Sequence, residues 1–144
     1  MNKFQLNISV RWADLDPNGH VRHSAYYDYG AQARVAYLQQ QGVGIDLMAT
    51  QGVGPVIFRE ECRFRRELHF GDDLVIDMRT KGFSADYRKW SLQHRILRQD
   101  EVCAIMDIDG AWFDLKKRRV IKPFEQVSKV FETLERTEDF QMIE

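Results

Sequence analysis

The sequence predicts one α+β domain in which a large antiparallel sheet wraps around a single long helix. The first observation is one long helical segment with a thin and broadly apolar surface, and the second is the run of alternating segments that follows it. The third is the element order of strand, loop, helix, several strands and a short terminal helix, which is typical of α+β proteins. A length of 144 residues suits a single unit, so we expect residues 1–144 to form one domain.

The composition excludes several classes of function. With 44% hydrophobic and 30% charged residues and a formal net charge of −1, the chain has enough apolar material for a core but no overall field that attracts nucleic acid or an anionic membrane. No apolar run approaches the roughly 20 residues that span a bilayer, and residues 1–4 do not begin a signal peptide. We therefore expect a cytoplasmic protein with no nucleic-acid or membrane partner. Cys62 and Cys103 lie far apart without metal-ligand spacing, which predicts neither a disulfide nor a zinc site.

The chain begins with a strand and a polar loop. Apolar residues at every second position from Phe4 to Trp12 have the period of a half-buried strand. The segment 14–19, with sequence DLDPNG, then concentrates residues that favour turns. We interpret Asp14 as a structural carboxylate that holds this loop.

A long helix is predicted from Ser24 to Gln41, with Ser24 as the N-cap and Gly42 as the C′ residue. Small residues keep much of its surface thin, which permits close approach by a sheet. The broad face consists of Tyr26, Tyr27, Gly30, Ala33, Arg34, Tyr37 and Leu38.

A meander of antiparallel strands follows a glycine-rich connection at residues 42–54. The alternation predicts a long strand over Val56–Phe70 and shorter ones beginning at Leu74, Trp90 and Val102. The last elements are a short strand at residues 120–122 and a helix that opens at Pro123, continues through Leu134 and frays towards residue 144.

Two segments resemble the 4-hydroxybenzoyl-CoA thioesterase family. Residues 11–26 read RWADLDPNGHVRHSAY, which is similar to that family's signature, and residues 64–74 read FRRELHFGDDL, similar to its aromatic strand and Gly-Asp turn. The resemblance covers essentially the whole domain. It implies the hotdog fold, a sheet wrapped around one helix, and hydrolysis of acyl-CoA thioesters to free acid and CoA. It implies no metal and no organic cofactor.

The resemblance implies that Asp16 is a nucleophile or general base, and a second branch of the family has a histidine at the position of His23. Hydrolysis also needs a donor for the developing oxyanion, which backbone N–H groups around His23 and Ser24 at the helix start can supply. By spacing alone, the favoured interpretation of Asp16 is that it caps its own turn, and the resemblance reverses that preference. His23 could act through its side chain or only as a helix-entry residue.

We expect a substrate-binding set beside the catalytic pair. Its members are Gly19, His20, Val21, Ser24, Tyr26 and Glu60. A histidine at position 20 departs from the apolar residue that is usual there in similar proteins; His20, His69 and His94 are interpreted as structural or surface residues. Glu60 lies on the apolar phase of its strand, where it either faces the active site or pairs with an arginine across the sheet or at a bulge that shifts the phase.

Four consecutive cations, Lys116, Lys117, Arg118 and Arg119, form a turn that either contacts the phosphates of CoA or is simply solvated. We expect a homodimer or homotetramer, because one helix cannot cover both faces of so large a sheet and because family members close their active sites between subunits. Two other functions remain open, a dehydratase or hydratase acting on acyl thioesters and a non-catalytic acyl-CoA-binding module.

Overall fold

A six-stranded antiparallel sheet dominates the computed structural model, which describes residues 1–144. In chain order the strands are β1 Phe4–Ile8, β2 Val53–Phe64, β3 Leu74–Phe83, β4 Lys89–Arg98, β5 Glu101–Asp114 and β6 Arg119–Val120. They are arranged as β1-β3-β4-β5-β2, and β6 pairs with β5. β1 and β2 therefore form the two edges of the main path, and the predicted meander of β3, β4 and β5 is confirmed.

The long helix α1 (His23–Gln40) begins and ends one residue earlier than predicted. Its small residues allow the close approach to the sheet that the sequence indicated. A Cβ placed on Gly30 would lie 3.3 Å from His94 of β4 and 3.4 Å from Met106 of β5, and Ala33 is fully buried. The helix also contacts β1 and β3, so the sheet curls around it as expected.

The first strand is shorter than the alternation suggests. β1 ends at Ile8, and Trp12–Asp14 form a 3-10 turn that leaves Trp12 80% exposed. The buried carboxylate of Asp14 explains this break, because its Oδ2 accepts the backbone N–H of Arg11 at 2.9 Å and draws the chain out of the extended conformation.

The connection after α1 contains a second helix that the sequence did not indicate. This helix, α2 (Ile45–Gln51), begins after Gly44 and closes at Gly52, whose φ of +67° is left-handed backbone. Its glycine boundaries resemble a loop composition, which explains why the segment was interpreted as a connection.

The predicted strand from Val56 to Phe70 is wrong at its end. β2 ends at Phe64. Immediately beyond it, the N–H groups of Arg65 and Arg66 both donate to the carbonyl of Cys103, at 2.8 and 3.0 Å, instead of continuing the regular strand pairing. Alternation continues beyond this point in the sequence, but the pairing does not. The segment instead turns towards the loop that precedes α1.

The terminal helix is also shorter than predicted, because α3 spans only Glu125–Ser128. Beyond it, hydroxyl groups from other elements donate to backbone carbonyls that would accept helical hydrogen bonds in a longer helix: Tyr37 donates to Val130 O at 2.8 Å and Thr80 to Phe131 O at 2.6 Å. Val130 and Phe131 are therefore buried in turns and not in a continued helix. None of the helices has the length and apolar character required to cross a lipid bilayer.

Candidate active site

Asp16 organises the loop between β1 and α1. Its Oδ1 accepts the backbone N–H groups of Asn18 at 2.8 Å and His20 at 3.2 Å, while its own N–H donates to His20 O at 2.7 Å. Gly19 takes a φ of +81°, which allows its N–H to donate to Asp16 O at 3.0 Å. Asp16 thus does close its turn, and this use of Oδ1 leaves Oδ2 without a protein donor.

Asp14 holds the same loop through several hydrogen bonds. Its Oδ1 accepts from Arg11 Nη2 at 2.8 Å, its Oδ2 accepts from the Tyr29 hydroxyl at 2.9 Å, and its carbonyl accepts Arg22 N–H at 2.7 Å. Burial alone would raise the pKa of Asp14, but the hydrogen bonds from Arg11 and Tyr29 outweigh it and the pKa is lowered. Asp14 is therefore a charged structural residue, as expected.

A cavity of about 320 Å³ opens where this loop meets the start of α1 and the segment after β2. Five of the residues singled out in the sequence line it, and four further lining residues come from the second segment. The lining residues are Asp16, His20, Val21, His23, Tyr26, Phe64, Arg65, Arg66 and Glu67. Gly19 and Ser24 flank this cavity without lining it.

The start of α1 offers backbone hydrogen-bond donors next to the cavity. His23 and Ser24 are the first two residues of α1, so their N–H groups have no carbonyl four residues earlier within the helix. Both residues are exposed, and the positive end of the helix dipole lies at this point. These amides are therefore free to donate to an oxygen that acquires negative charge.

Aromatic residues form the apolar wall. Tyr26 and Phe64 meet edge to face with ring centroids 4.9 Å apart, and burial raises the pKa of Tyr26 to about 12. Tyr26 is therefore a neutral phenol near pH 7 and is available for packing or hydrogen bonding, not for base chemistry.

Glu60 lies outside this cavity. A bulge between Ile57 and Arg59 shifts the phase of β2, and the Glu60 carboxylate lies 3.6 Å from the guanidinium of Arg34, a buried residue of α1. The pairing with an arginine is thus what the structure contains. The substrate-binding role of Glu60 stays a prediction without support from its position.

The basic turn also lies elsewhere, at the end of β5. Asp114 Oδ1 accepts the N–H groups of Lys116 and Lys117, each at 2.9 Å, and the Arg118 guanidinium lies 5.2 Å from the centre of the Phe113 ring. The turn is well formed without a ligand. Its role in CoA binding therefore stays a prediction.

The cations that do line the cavity are Arg65 and Arg66, which the sequence reading passed over. Both lie in the second family-like segment, within the predicted strand over Val56–Phe70, and neither was assigned a site role. The signal that could have identified them is the pair of adjacent arginines between the aromatic Phe64 and Glu67.

Residues 10–132 match the family model described as the thioesterase-like superfamily, and the chain belongs to that superfamily. Its sequence is similar to the chloroplastic acyl-acyl carrier protein thioesterase ATL3 of Arabidopsis thaliana, with 29% identity over 126 residues. That alignment covers 85% of this chain and 65% of the plant protein. The chain thus spans somewhat less than two thirds of this relative.

Solved structures confirm the expected hotdog fold. A 1,4-dihydroxy-2-naphthoyl-CoA thioesterase from Synechocystis superposes with a TM-score of 0.82 at 15% identity, covering 92% of this chain and 98% of that one. A hypothetical Staphylococcus aureus protein in complex with CoA gives a TM-score of 0.84 at 15% identity, covering 94% of this chain and 87% of that one. At such identities the likeness establishes the fold.

Proposed function

We propose that this protein hydrolyses acyl-CoA thioesters in the manner of the 4-hydroxybenzoyl-CoA thioesterase family, with Asp16 as nucleophile or general base. The observation on which the proposal rests is that Asp16 and the start of α1 share one cavity, with Asp16 Oδ2 free of protein hydrogen bonds. Membership of the thioesterase-like superfamily supports the reaction class.

The two sides of the cavity suit the two requirements of thioester hydrolysis. The thioester carbonyl oxygen accepts hydrogen bonds from the free amides of His23 and Ser24, which stabilise the oxyanion of the tetrahedral intermediate. On the other side, Asp16 either attacks the carbonyl carbon or removes a proton from the water that attacks it. Collapse of the intermediate expels CoA as a thiolate, and hydrolysis of an acyl-Asp16 anhydride completes the nucleophilic route.

Arg65 and Arg66 make the cavity suitable for an anionic substrate. Their guanidinium groups line the same cavity as Asp16 and can pair with phosphate or carboxylate oxygens. The basic turn at 116–119 is a second candidate for the more distant phosphates of CoA.

An acyl carrier protein is the alternative carrier of the acyl group, and the similarity to the plant enzyme ATL3 favours including it. Carrier protein and CoA share the phosphopantetheine thioester, so the chemistry at Asp16 is unchanged. Comparison of the two thioesters of one acyl chain under identical conditions distinguishes the carriers.

We further propose a homodimer or homotetramer. β2 lies at a free edge of the sheet, and long edge strands with unpaired backbone groups are normally covered. Its apolar side chains Ile57, Phe58 and Phe64 are 46%, 61% and 51% exposed in the single chain. A second copy of the chain that covers this edge would pair the free backbone groups of β2 and bury its exposed apolar side chains.

The decisive experiment compares Asp16→Asn with His23→Ala. Asparagine keeps the size of Asp16 and its acceptor for the turn but removes the negative charge, so we expect kcat to fall by roughly 10² or more. Alanine at position 23 keeps the backbone N–H, so the oxyanion donor survives and the loss is smaller. Release of free thiol from a panel of thioesters with varied acyl groups measures both.

The controls and alternatives are built into the same panel. Both variants must retain the wild-type thermal transition and oligomeric state, because the Asp16 side chain also holds its turn. If folded Asp16→Asn keeps a near-normal kcat while His23→Ala loses it, the general base is His23. Hydration of an enoyl-CoA would identify the hydratase alternative, and tight binding without turnover would identify the binding module.

A further inference from the structure

Three side chains with metal-binding atoms converge at the rim of the cavity, although the sequence contains no metal-ligand spacing. His20 Nε2 lies 3.1 Å from Glu67 Oε2, and His69 Nε2 lies 3.9 Å from the same oxygen. One ligand atom from each of the three residues lies within 4.8 Å of the others. Two imidazoles and one carboxylate therefore face a common point.

The backbone holds this cluster together. His20 and His69 are paired in an antiparallel β-bridge, and Val21 N–H donates to Leu68 O at 2.8 Å between them. The two imidazole rings meet edge to face, with centroids 5.1 Å apart. The convergence is thus set by main-chain pairing of the Asp16 loop with the segment after β2, and not by a chance meeting of mobile side chains.

A second carboxylate lies beside one of the histidines. Asp72 Oδ2 accepts the backbone N–H of His69 at 2.9 Å and Arg98 Nη1 at 2.9 Å, which fixes it 3.8 Å from His69 Nδ1. His69 therefore has Nε2 on the side of the cluster and Nδ1 on the side of a carboxylate that lies beyond hydrogen-bonding distance. Metal-ligating histidines commonly donate their second ring N–H to such a carboxylate, so a bound ion would be expected to close this pair.

We propose that His20, Glu67 and His69 bind a divalent transition-metal ion of the zinc class. Two histidine nitrogens and a carboxylate oxygen are a frequent zinc ligand set, and tetrahedral coordination with bonds of about 2.0–2.1 Å requires ligand atoms about 3.3 Å apart. The spacings of 3.1 and 3.9 Å to the Glu67 oxygen lie on either side of that value, and no two of the three ligand atoms are more than 4.8 Å apart, so side-chain rotations can bring them into range.

A simple ion pair accounts for less of the geometry than a metal site does. Glu67 lies within hydrogen-bonding distance of His20 Nε2 at 3.1 Å but not of His69 Nε2 at 3.9 Å, whereas a shared ion would use all three ligand atoms that the main-chain pairing brings together. Because His20 and Glu67 both line the cavity, the fourth coordination position opens into it and is accessible to a water or to a substrate oxygen.

The ion would also bind beside the loop that contains Asp16, since His20 N–H donates to Asp16 Oδ1 at 3.2 Å. Occupancy therefore ties the side chain of His20 to the segment after β2 and restrains the loop. The site stands on its own geometry and does not depend on the proposed hydrolase activity.

The test is metal binding by the 144-residue chain without a histidine tag, after removal of metals with a chelator. Calorimetric titration with Zn²⁺ should give one ion per chain, and Co²⁺ should develop visible absorption bands on the same stoichiometry. We expect His20→Ala and Glu67→Gln each to weaken the affinity at least about 10-fold, since even outer-shell changes commonly cost that much.

His23→Ala is the matched control, because His23 lines the same cavity but lies outside the cluster. It should bind Zn²⁺ as the wild type does. Glu67 is exposed, so Glu67→Gln gives a reading that does not depend on the folding of His20→Ala. Failure of the wild type to take up one ion, or unchanged affinity in Glu67→Gln, would overturn the proposal whether or not the protein hydrolyses thioesters.

Discussion

The buried histidine of β4 should make the stability of the fold depend on pH. His94 is fully buried, with Nδ1 2.9 Å from Asp77 O and Nε2 3.0 Å from Arg34 Nη1. A guanidinium only donates, so Nε2 accepts and Nδ1 holds the single proton that is donated to Asp77 O. A second proton on Nε2 would place two donors and two positive charges against each other.

The environment of His94 fixes the direction of the effect. Burial and the adjacent Arg34 lower the pKa of His94 to about 3, against a smaller opposing effect from the Asp77 carbonyl. The nearest acids do not relieve this, since Glu60 pairs with Arg34 from β2 and the Asp77 carboxylate is bonded to Arg95. The folded state therefore keeps His94 neutral over a range in which the unfolded chain protonates it.

The magnitude follows from proton linkage. The stabilisation is complete above the unfolded pKa near 6.5 and is lost as pH falls from there towards about 3. Between pH 7 and pH 5 the unfolded state takes up about 0.7 of a proton that the folded state does not, and integrated over this range the difference costs about 2 kcal/mol of unfolding free energy. For a chain of this length that corresponds to a decrease in Tm of about 4–8 °C.

Urea unfolding at pH 7, 6 and 5, at one fixed protein concentration, measures this loss. His94→Gln is the comparison, since glutamine retains an acceptor for Arg34 and does not titrate here. The variant should be less stable at pH 7 but should lose about 2 kcal/mol less than the wild type on going to pH 5. Parallel pH dependences for the two proteins would refute the reasoning, because every other titrating group is common to both.

Three further outcomes are expected. Replacement of all four residues of the turn 116–119 by alanine should raise KM for acyl-CoA and leave kcat nearly unchanged, because phosphate contacts stabilise ground and transition states alike; an unaltered KM would exclude the role. Gly110→Ala should lower the free energy of unfolding, measured by heat or urea, by about 1–3 kcal/mol, because the added Cβ would overlap Val56 O. Gly54→Ala is the control: its Cβ would lie 3.7 Å from the nearest side-chain atom, so stability should change by less than about 1 kcal/mol. Light scattering should give at least two chains per particle and a shift towards monomer in Phe58→Lys; a stable monomer with full thioesterase activity would contradict the oligomer.

The candidate site was only partly visible in the sequence. Asp16, His20, Val21, His23 and Tyr26 lie within one short segment, so a local motif was sufficient to bring them together. The other wall begins at Phe64, which is 38 residues after Tyr26, and depends on where β2 leaves the sheet. That point is decided by hydrogen bonds to a carbonyl of β5, which no local pattern specifies.

Polar residues on apolar faces also depend on contacts between distant segments that a local sequence pattern does not specify. Arg34 lies on the apolar face of α1 and His94 is the polar member of a buried strand face, and each by itself reads as an exception to the pattern. Sixty residues separate them in the chain, yet their side chains meet at 3.0 Å in the core. Their burial is tolerable because they bond to each other and because Arg34 also pairs with Glu60 and His94 with the Asp77 carbonyl.

What the sequence determined by itself is what depends on near neighbours in the chain. The period of apolar residues predicted the main strands and α1, and the composition DLDPNG predicted the turn at Asp16, because backbone sterics and side-chain alternation act over a few residues. The tertiary structure decided the end of β2, the shortness of α3 and the meeting of His20 with His69. These features depend on hydrogen bonds between segments that are distant in the chain. Such segments come together only when the sheet has closed around the helix.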